Sequence, residues 1–570
     1  LDAVATYKVF CNQWKEALLY ADSPCRYPVF HDCRLRFGLL SESIQVKGAL
    51  ALRWLEGFPL RVDLPQVERL RSQFHTESRL LEDALVVYKF AKRTPKTKRF
   101  GLSHTTLRRV LGEYSRERFL DPPYSAGSSG KPPVLSLTYD FWAEHLPRLD
   151  AGRGDDLGSL GSLEDRLAVW LRYCRVRKLL STYLEPYGTS ATHYTSYYNL
   201  GARTGRVSSV RPNIQQIPKR RDGIRKCFIP LPGSRLIEGD YKAAELIALA
   251  QIYKMMFGGS ALGDRINAGE DIHEATGRAM VGDAAYDKDP KKFRQAAKAV
   301  NFGLPGGLGA KKFRQYAKKS YGVSFTEDEA REIRALALEA DPALKAYLAD
   351  SYSAKEVLQL AANNVGLPFG HLITALRSWR IEDENEVHWH LALRRLRAWS
   401  RGDTRFEIPT PPGFKKDWDL FRSTTVTPTG RVRGRASYTE AHNSPFQGLV
   451  ADGAKLAAWK LYNACCGDPS WTPVAFVHDS FVVECQSVDA NRVGDLLRSC
   501  MVRGLQDVCP DIRVEVDLTP ALERWGENTD ASGNVLEEET PALPDLQSSG
   551  PGPAPSLQTA GREVPAVSPG

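Results

Sequence analysis

The stretch that most narrows the fold of this chain is "PVAFVHDSFVVEC", residues 473–485. Two short apolar runs flank the polar trio His478, Asp479 and Ser480. Such runs read as paired strands, with the trio at the turn of a hairpin. A second aspartate has a similar setting. "RLIEGD" reads as a short strand ending at Asp240. After it, apolar residues fall at Leu246, Leu249, Ala250, Tyr253 and Phe257, which is helical spacing. Strand ends and tight turns hold a side chain rigidly. Two carboxylates brought together there would repel and raise each other's pKa unless cations intervene. Hard oxygen ligands of this kind suit Mg²⁺, which binds one or two carboxylates together with substrate phosphates. Two such ions about 3.5–4 Å apart can serve an attacking and a leaving oxygen. Each aspartate could equally cap its own local turn.

The segment "KKFRQAAKAVNFGLPGGLG", residues 291–309, joins a basic stretch to glycines. It is not a P-loop, because Gly309 is followed by Ala310 and no strand precedes it. It is not a dinucleotide fingerprint either, since its glycines come after the helix instead of opening it. Arg294, Lys298 and Phe302 are spaced i, i+4, i+8 and form one stripe on a helix. Two cations suit a polyphosphate, and a ring suits a base or sugar. A solvated face with one half-buried Phe fits the same spacing. Pro305 with Gly306 and Gly307 predicts that the helix ends or kinks just past Phe302.

The chain has 570 residues, enough for several subdomains. Net charge is +9, yet the segment from Asn528 onward holds six acids and one arginine, so it carries −5 and the body +14. A basic body suggests a polyanionic partner. The end of the chain is rich in Pro, Gly and Ser and reads as disordered. The ten cysteines show no C-x-x-C spacing, so reduced thiols are expected and a structural zinc is not. No apolar run is long enough to span a bilayer, so no membrane partner is expected. The chain begins at Leu1, not Met, which leaves room for a longer natural N-terminus.

Six segments, in order, resemble the family A DNA polymerases. "GDYKAAELIALA" is similar to the first palm motif of that family, "RQAAKAVNFG" to the fingers-helix motif, and "FVHDSFVVE" to the third motif. "KLLSTYL", "TGRVSSVRPNIQQIP" and "NSPFQGLVAD" resemble three shorter elements. The resemblance runs from about Leu55 to Trp525. It implies an α+β right-hand fold with a helical thumb, an antiparallel-sheet palm and helical fingers. The domains expected are a 3′–5′ exonuclease-like remnant at 1–48, a thumb at 49–190, palm at 191–254 and 426–527, fingers with an insertion at 255–425, and a tail at 528–570. The remnant rests on "LDAVATYKVF", where Asp2 matches an exonuclease metal ligand.

The same resemblance implies the roles. Asp240 and Asp479 would bind two Mg²⁺. Arg294 and Lys298 would hold the incoming triphosphate, and Lys298 would also protonate the leaving pyrophosphate. Phe302 would lie beside the deoxyribose, Glu245 would exclude a 2′-hydroxyl, and Tyr241 and His478 would complete the nucleotide and primer-end site. Arg206, Asn213, Gln215, Asn443 and Gln447 would contact primer or template. The chain departs from the family at Gly306, where a tyrosine that packs at the template base is common, and at Ser480, where an acid is usual. Lys242 and Ala243 replace Ser and Gln. The function implied is template-directed addition of dNTPs to a primer, in phage or viral replication, by a cytoplasmic monomer, with a processivity factor left open. The alternatives are a primer–template-binding remnant without chemistry and a single-subunit RNA polymerase.

Overall fold

The computed structural model describes residues 34–118, 120, 122, 124–125, 134–146, 162–218, 222–348, 382–383, 386–387 and 423–527. Asp2 and its segment, nearly all of residues 356–419, within the span expected to hold an insertion, and the 528–570 tail lie outside the described residues. The chain falls into two compact units. One includes Phe74–Arg177; the other combines the residues up to Gln73 with Lys178–Leu536.

The smaller unit is helical. Its helices include His104–Glu117 and Tyr139–His145. Leu107, Val110, Leu111, Tyr114 and Trp142 are buried within it. Its buried polar tips are satisfied: the Trp142 indole donates to the Ser136 carbonyl at 2.9 Å, and the Tyr114 hydroxyl to the His145 carbonyl at 3.0 Å.

The larger unit holds, in chain order, α1 (Glu42–Leu55), β1 (Ser234–Tyr241), α2 (Ala244–Phe257), α3 (Ile272–Val281), α4 (Pro290–Gly303), α5 (Ala310–Tyr321), α6 (Glu327–Ala340), α7 (Tyr438–Cys466), β2 (Trp471–Val477), β3 (Ser480–Gln486), α8 (Ala490–Gln506) and β4 (Val516–Leu518). The strands form one antiparallel sheet in the order β2-β3-β1-β4. β1 and β3 are buried along almost their whole length; β3 is mainly apolar, whereas β1 also carries Arg235, Glu238 and Asp240. Phe476 and Phe481 stack across the hairpin at 4.5 Å. Burying each ring contributes about 1.5–3 kcal/mol.

Helices α7 and α8 pack on each other, and α8 also packs on β1. A Cβ at Gly239 would lie 2.8 Å from the Met501 sulfur and 3.1 Å from Leu497, so this glycine lets α8 lie close beside Asp240. α7 starts on a capping box in which Ser437 and Glu440 satisfy each other's backbone N–H groups. It is buried on nearly all sides, as a central helix must be. Helix α4 starts with Asp289 as N-cap and Pro290 in its first turn, and it ends at Gly303, one residue past Phe302.

Candidate active site

The antiparallel register brings the two aspartates to one end of the sheet. β1 pairs with β3 up to Gly239 opposite Phe481, and the β2–β3 hairpin closes with Val477 opposite Ser480. Asp240 is the next residue of β1, and Asp479 sits in the two-residue turn beside it. His478 at that turn (φ +61°) and Ala243 just past β1 (φ +58°) both take the left-handed conformation, uncommon for residues with a Cβ. Burial first, then the charges of Asp240 and Glu245, push the Asp479 pKa up to about 6, against a lowering by Arg206. The carboxylates therefore crowd one another. Asp517 on β4 is the register partner of Asp240, so it faces the same side of the sheet.

A second layer lies along β1. Glu238, two residues before Asp240, is buried. It accepts a hydrogen bond from the Trp525 indole at 2.8 Å and one from the Ser480 hydroxyl at 3.3 Å. Arg225 lies 3.5 Å from the same carboxylate, buried like it, with its guanidinium over the Trp525 ring at 4.4 Å. The position after Asp479 thus lacks an acid of its own, but its hydroxyl meets a carboxylate supplied by the neighbouring strand. Removing one partner of a buried ion pair costs about 3–5 kcal/mol, because the other stays buried and uncompensated. Glu238→Ala should lower the melting temperature by several degrees, and Glu238→Leu combined with Arg225→Met should recover most of the loss. Equal melting of Glu238→Ala and wild type would show that the pair does not hold this layer.

A cavity of about 400 Å³ lies between the end of β1 and α4. Arg294, Lys298 and Phe302 all line it, as their spacing predicts. Arg294 pairs with Asp271, the N-cap of α3, at 2.7 Å. Lys242, noted only as a departure in the first motif, also lines the cavity, and so do His273, Arg513 and Asp517, which escaped the sequence reading. The His273 ring lies 5.4 Å from that of Phe302, and burial pulls its pKa down to about 4, so the ring is neutral. The signal for His273 was present in "DIHE", an N-cap aspartate with an acid three residues on, which fixes a helix start beside it.

The polar residues expected to contact DNA are unevenly placed. Arg206 and Glu245 form an ion pair with each other. Arg206 also acts electrostatically on Asp479 and His478, so it lies beside the aspartates. Burial and the Arg206 charge lower the His478 pKa. The Asn213 amide accepts from the Ser209 hydroxyl at 3.1 Å. Gln215 is buried, and its side-chain nitrogen has no hydrogen-bond partner, an unmet donor beside the site. From Ala441 to Ala458, Asn443 and Gln447 are the only residues that are not buried. They stand one turn apart on one face of α7. The nucleotide-facing position expected for Tyr241 is corrected. Its ring is in the core, and its hydroxyl donates to the Met501 carbonyl at 2.7 Å, because alternation along β1 turns it away from Asp240.

Two half-buried carboxylates with a basic wall make a donor set that fits a divalent cation. Among the described residues, no three His, Cys, Asp or Glu side chains gather closely enough to hold a metal by themselves. The set therefore suits a hard ion whose other ligands come from water and substrate phosphate. Among the described residues no helix is long and apolar enough to cross a membrane.

Comparison with known proteins agrees with this geometry. Residues 155–359 match the model of DNA polymerase family A. DNA polymerase I of Aquifex aeolicus (strain VF5) is 28% identical over 340 residues, covering 58% of this chain and 46% of the relative. That of Chloroflexus aurantiacus is 27% identical over 407 residues, covering 69% and 36%. The thermostable DNA polymerase I of Thermus filiformis is 36% identical over 168 residues, covering 28% and 19%. The chain spans less than half the length of these relatives. Its fold is similar to the POL domain of Pol1 from M. smegmatis, solved in complex with DNA primer-template and dNTP. The TM-score is 0.57 at 19% identity, with 87% of this chain and 72% of that one covered. The match to the family model includes the strand of Asp240 and all of α4. Over residues 155–359 the chain therefore matches DNA polymerase family A, with a polymerase-like fold around that stretch and six ordered motifs along the sequence.

Proposed function

We propose that the chain is a template-directed DNA polymerase that adds dNTPs to a primer 3′-hydroxyl. The observation that carries this reading is the meeting of Asp240 and Asp479 at one sheet end, beside a cavity lined by Arg294, Lys298 and Phe302. In the reaction the primer 3′-oxygen bonds to the α-phosphorus while the bond to the bridging oxygen breaks and pyrophosphate leaves. Such a transfer depends on positioning and charge neutralisation more than on covalent help from the protein. Asp240 and Asp479 would hold two Mg²⁺, which supply neutralisation of the phosphate charge and activation of the attacking oxygen.

The chain's own groups do the rest. Arg294 and Lys298 orient the polyphosphate, and Lys298 stands ready to give a proton to the leaving pyrophosphate. Phe302 packs beside the sugar, and Glu245, held by Arg206, blocks a 2′-hydroxyl. Asn213, Gln215, Asn443 and Gln447 offer amides to the primer–template, and His478 lies at the primer end. In this assignment the thumb covers 49–190, the palm 191–254 and 426–527, and the fingers 255–425. A phage or viral setting is part of the same proposal, although the relatives named above are bacterial.

Primer extension with a labelled primer–template, Mg²⁺ and four dNTPs tests this. Extension by wild type and not by Asp479→Asn is expected. Firm primer–template binding without extension under any metal would sink the polymerase reading in favour of a binding remnant. The Phe302 placement has its own test. Phe302 carries no hydroxyl to stand in for a missing 3′-OH, so Phe302→Tyr should accept dideoxynucleotides better, by about tenfold for one added hydrogen bond of about 1.4 kcal/mol. Equal discrimination by both forms would remove Phe302 from the sugar.

A further inference from the structure

The cavity beside α4 has a second charged wall, built from the sheet. Lys242 follows Asp240 and Tyr241, and Arg513 precedes β4; both line the cavity with Arg294 and Lys298. One carboxylate holds the two. Lys242 Nζ lies 3.1 Å from Glu515 Oε2, and an Arg513 amino group lies 2.7 Å from Glu515 Oε1. The Lys242 backbone N–H donates to the Glu515 carbonyl at 3.0 Å, which fixes the two segments side by side. The trio carries one net positive charge. The cations remain well exposed, at 60% and 55%. Exposed ion pairs of this kind are worth about 0–1 kcal/mol, so a polyphosphate can compete for these cations without a large penalty. The cavity's four cations face four acids, Glu270, Asp271, Glu515 and Asp517; of these Asp271 is engaged by Arg294, and Asp517 lies in register with Asp240.

We propose that Lys242 and Arg513 receive the terminal phosphates of the incoming nucleotide, and then the pyrophosphate set free by transfer. This rests on the polymerase reading and adds a second grip to that of α4. Residues on the fingers helix and residues on the sheet would hold the same phosphates from different elements. The sheet pair would keep hold of pyrophosphate when the α4 contacts change. Glu515 aims the two cations and tempers their charge.

The test uses Lys242→Ala, Arg513→Ala, Lys242→Arg and Glu515→Gln in the full chain. The dNTP KM, the pyrophosphate concentration for half-maximal reversal of extension, and the primer–template Kd are measured for each. Both alanine variants should raise the first two constants about fivefold, the scale of one exposed charged contact, with primer–template Kd unchanged. Lys242→Arg should stay near wild type. Glu515→Gln frees both cations and should shift pyrophosphate binding the opposite way, towards tighter. Constants within about twofold of wild type in both alanine variants would overturn the proposal, as would a loss confined to primer–template affinity, which would assign the pair to the DNA track. Calorimetric titration with inorganic pyrophosphate in Mg²⁺ makes the same comparison without catalysis. A chain that binds pyrophosphate through these residues but extends no primer would defeat the polymerase reading and leave only the phosphate-binding role of the pair standing.

Discussion

Asp479→Asn is expected to cut primer extension by about 10³-fold, equivalent to roughly 4 kcal/mol of lost charge stabilisation. Asp240→Asn should do the same. Neither change removes a cation facing phosphate, and phosphate contacts dominate binding to the duplex, so primer–template affinity should hold within about twofold. The Asp479 change should also carry a stability signature. In the fold its pKa is raised to about 6, first by burial and then by Asp240 and Glu245. A carboxyl with a raised folded pKa favours the fold below its ordinary value. That contribution is lost as pH rises from the ordinary carboxylate range through about 6. At pH 7.5 without metal, the charged side chain therefore opposes folding, and a neutral amide relieves it. Asp479→Asn should melt no lower than wild type at pH 7.5, and any gain should vanish near pH 4. Lower melting together with retained extension would mean that Asp479 is a structural cap and not part of the reaction.

Gly306→Tyr is expected to lower both stability and primer extension, although a tyrosine at this position is common in the family that the chain resembles. Gly306 is buried, and a Cβ there would lie 2.7 Å from the Asn443 oxygen and 2.8 Å from its nitrogen. Overpacking at a well-filled site costs about 1–3 kcal/mol, and a whole ring belongs at the upper end. Melting temperature and extension rate should both fall. Asn443→Ala in the same chain should recover part of the melting loss. The two changes should then be non-additive, as expected for residues in contact. Additive losses would mean that the ring finds another path. If Gly306→Tyr instead raised the extension rate, the close approach of Asn443 would be irrelevant to function. Gly306 and Asn443 are thus a matched pair: the side chain missing at Gly306 leaves space that an α7 amide fills.

The parts legible in the sequence are those with a local signal. The hairpin at Asp479, the strand to Asp240 and the stripe on α4 each rest on a short repeat of apolar or charged positions, and the structure has all three. The strand extends one residue further than expected, to Tyr241. What escaped depends on partners distant in the chain. Nothing near Glu238 announces Arg225 or Trp525. β4 is three residues long, too short for periodicity to show, so Asp517 and Arg513 gave no sign of facing the site. Arg206 and Glu245 were read as independent contacts, and only the folded chain pairs them. The nucleotide-facing role of Tyr241 came from the family resemblance, where strand alternation alone would have turned it inward.

The order of strands in the sheet also bears on how the protein is made. β1 lies in the interior of the sheet, with β3 on one side and β4 on the other, and both partners come much later in the chain. Between Tyr241 and Ser480 a ribosome adds about 240 residues, which takes roughly 12–50 s at about 5–20 residues per second. Throughout that interval a strand destined for burial has two bare hydrogen-bonding edges and no sheet to join. Such edges template pairing between chains. Slow translation of the middle of this gene would lengthen the exposure. Soluble yield should therefore depend on elongation rate and on chaperones that cover nascent strands, even for variants whose finished fold is as stable as wild type.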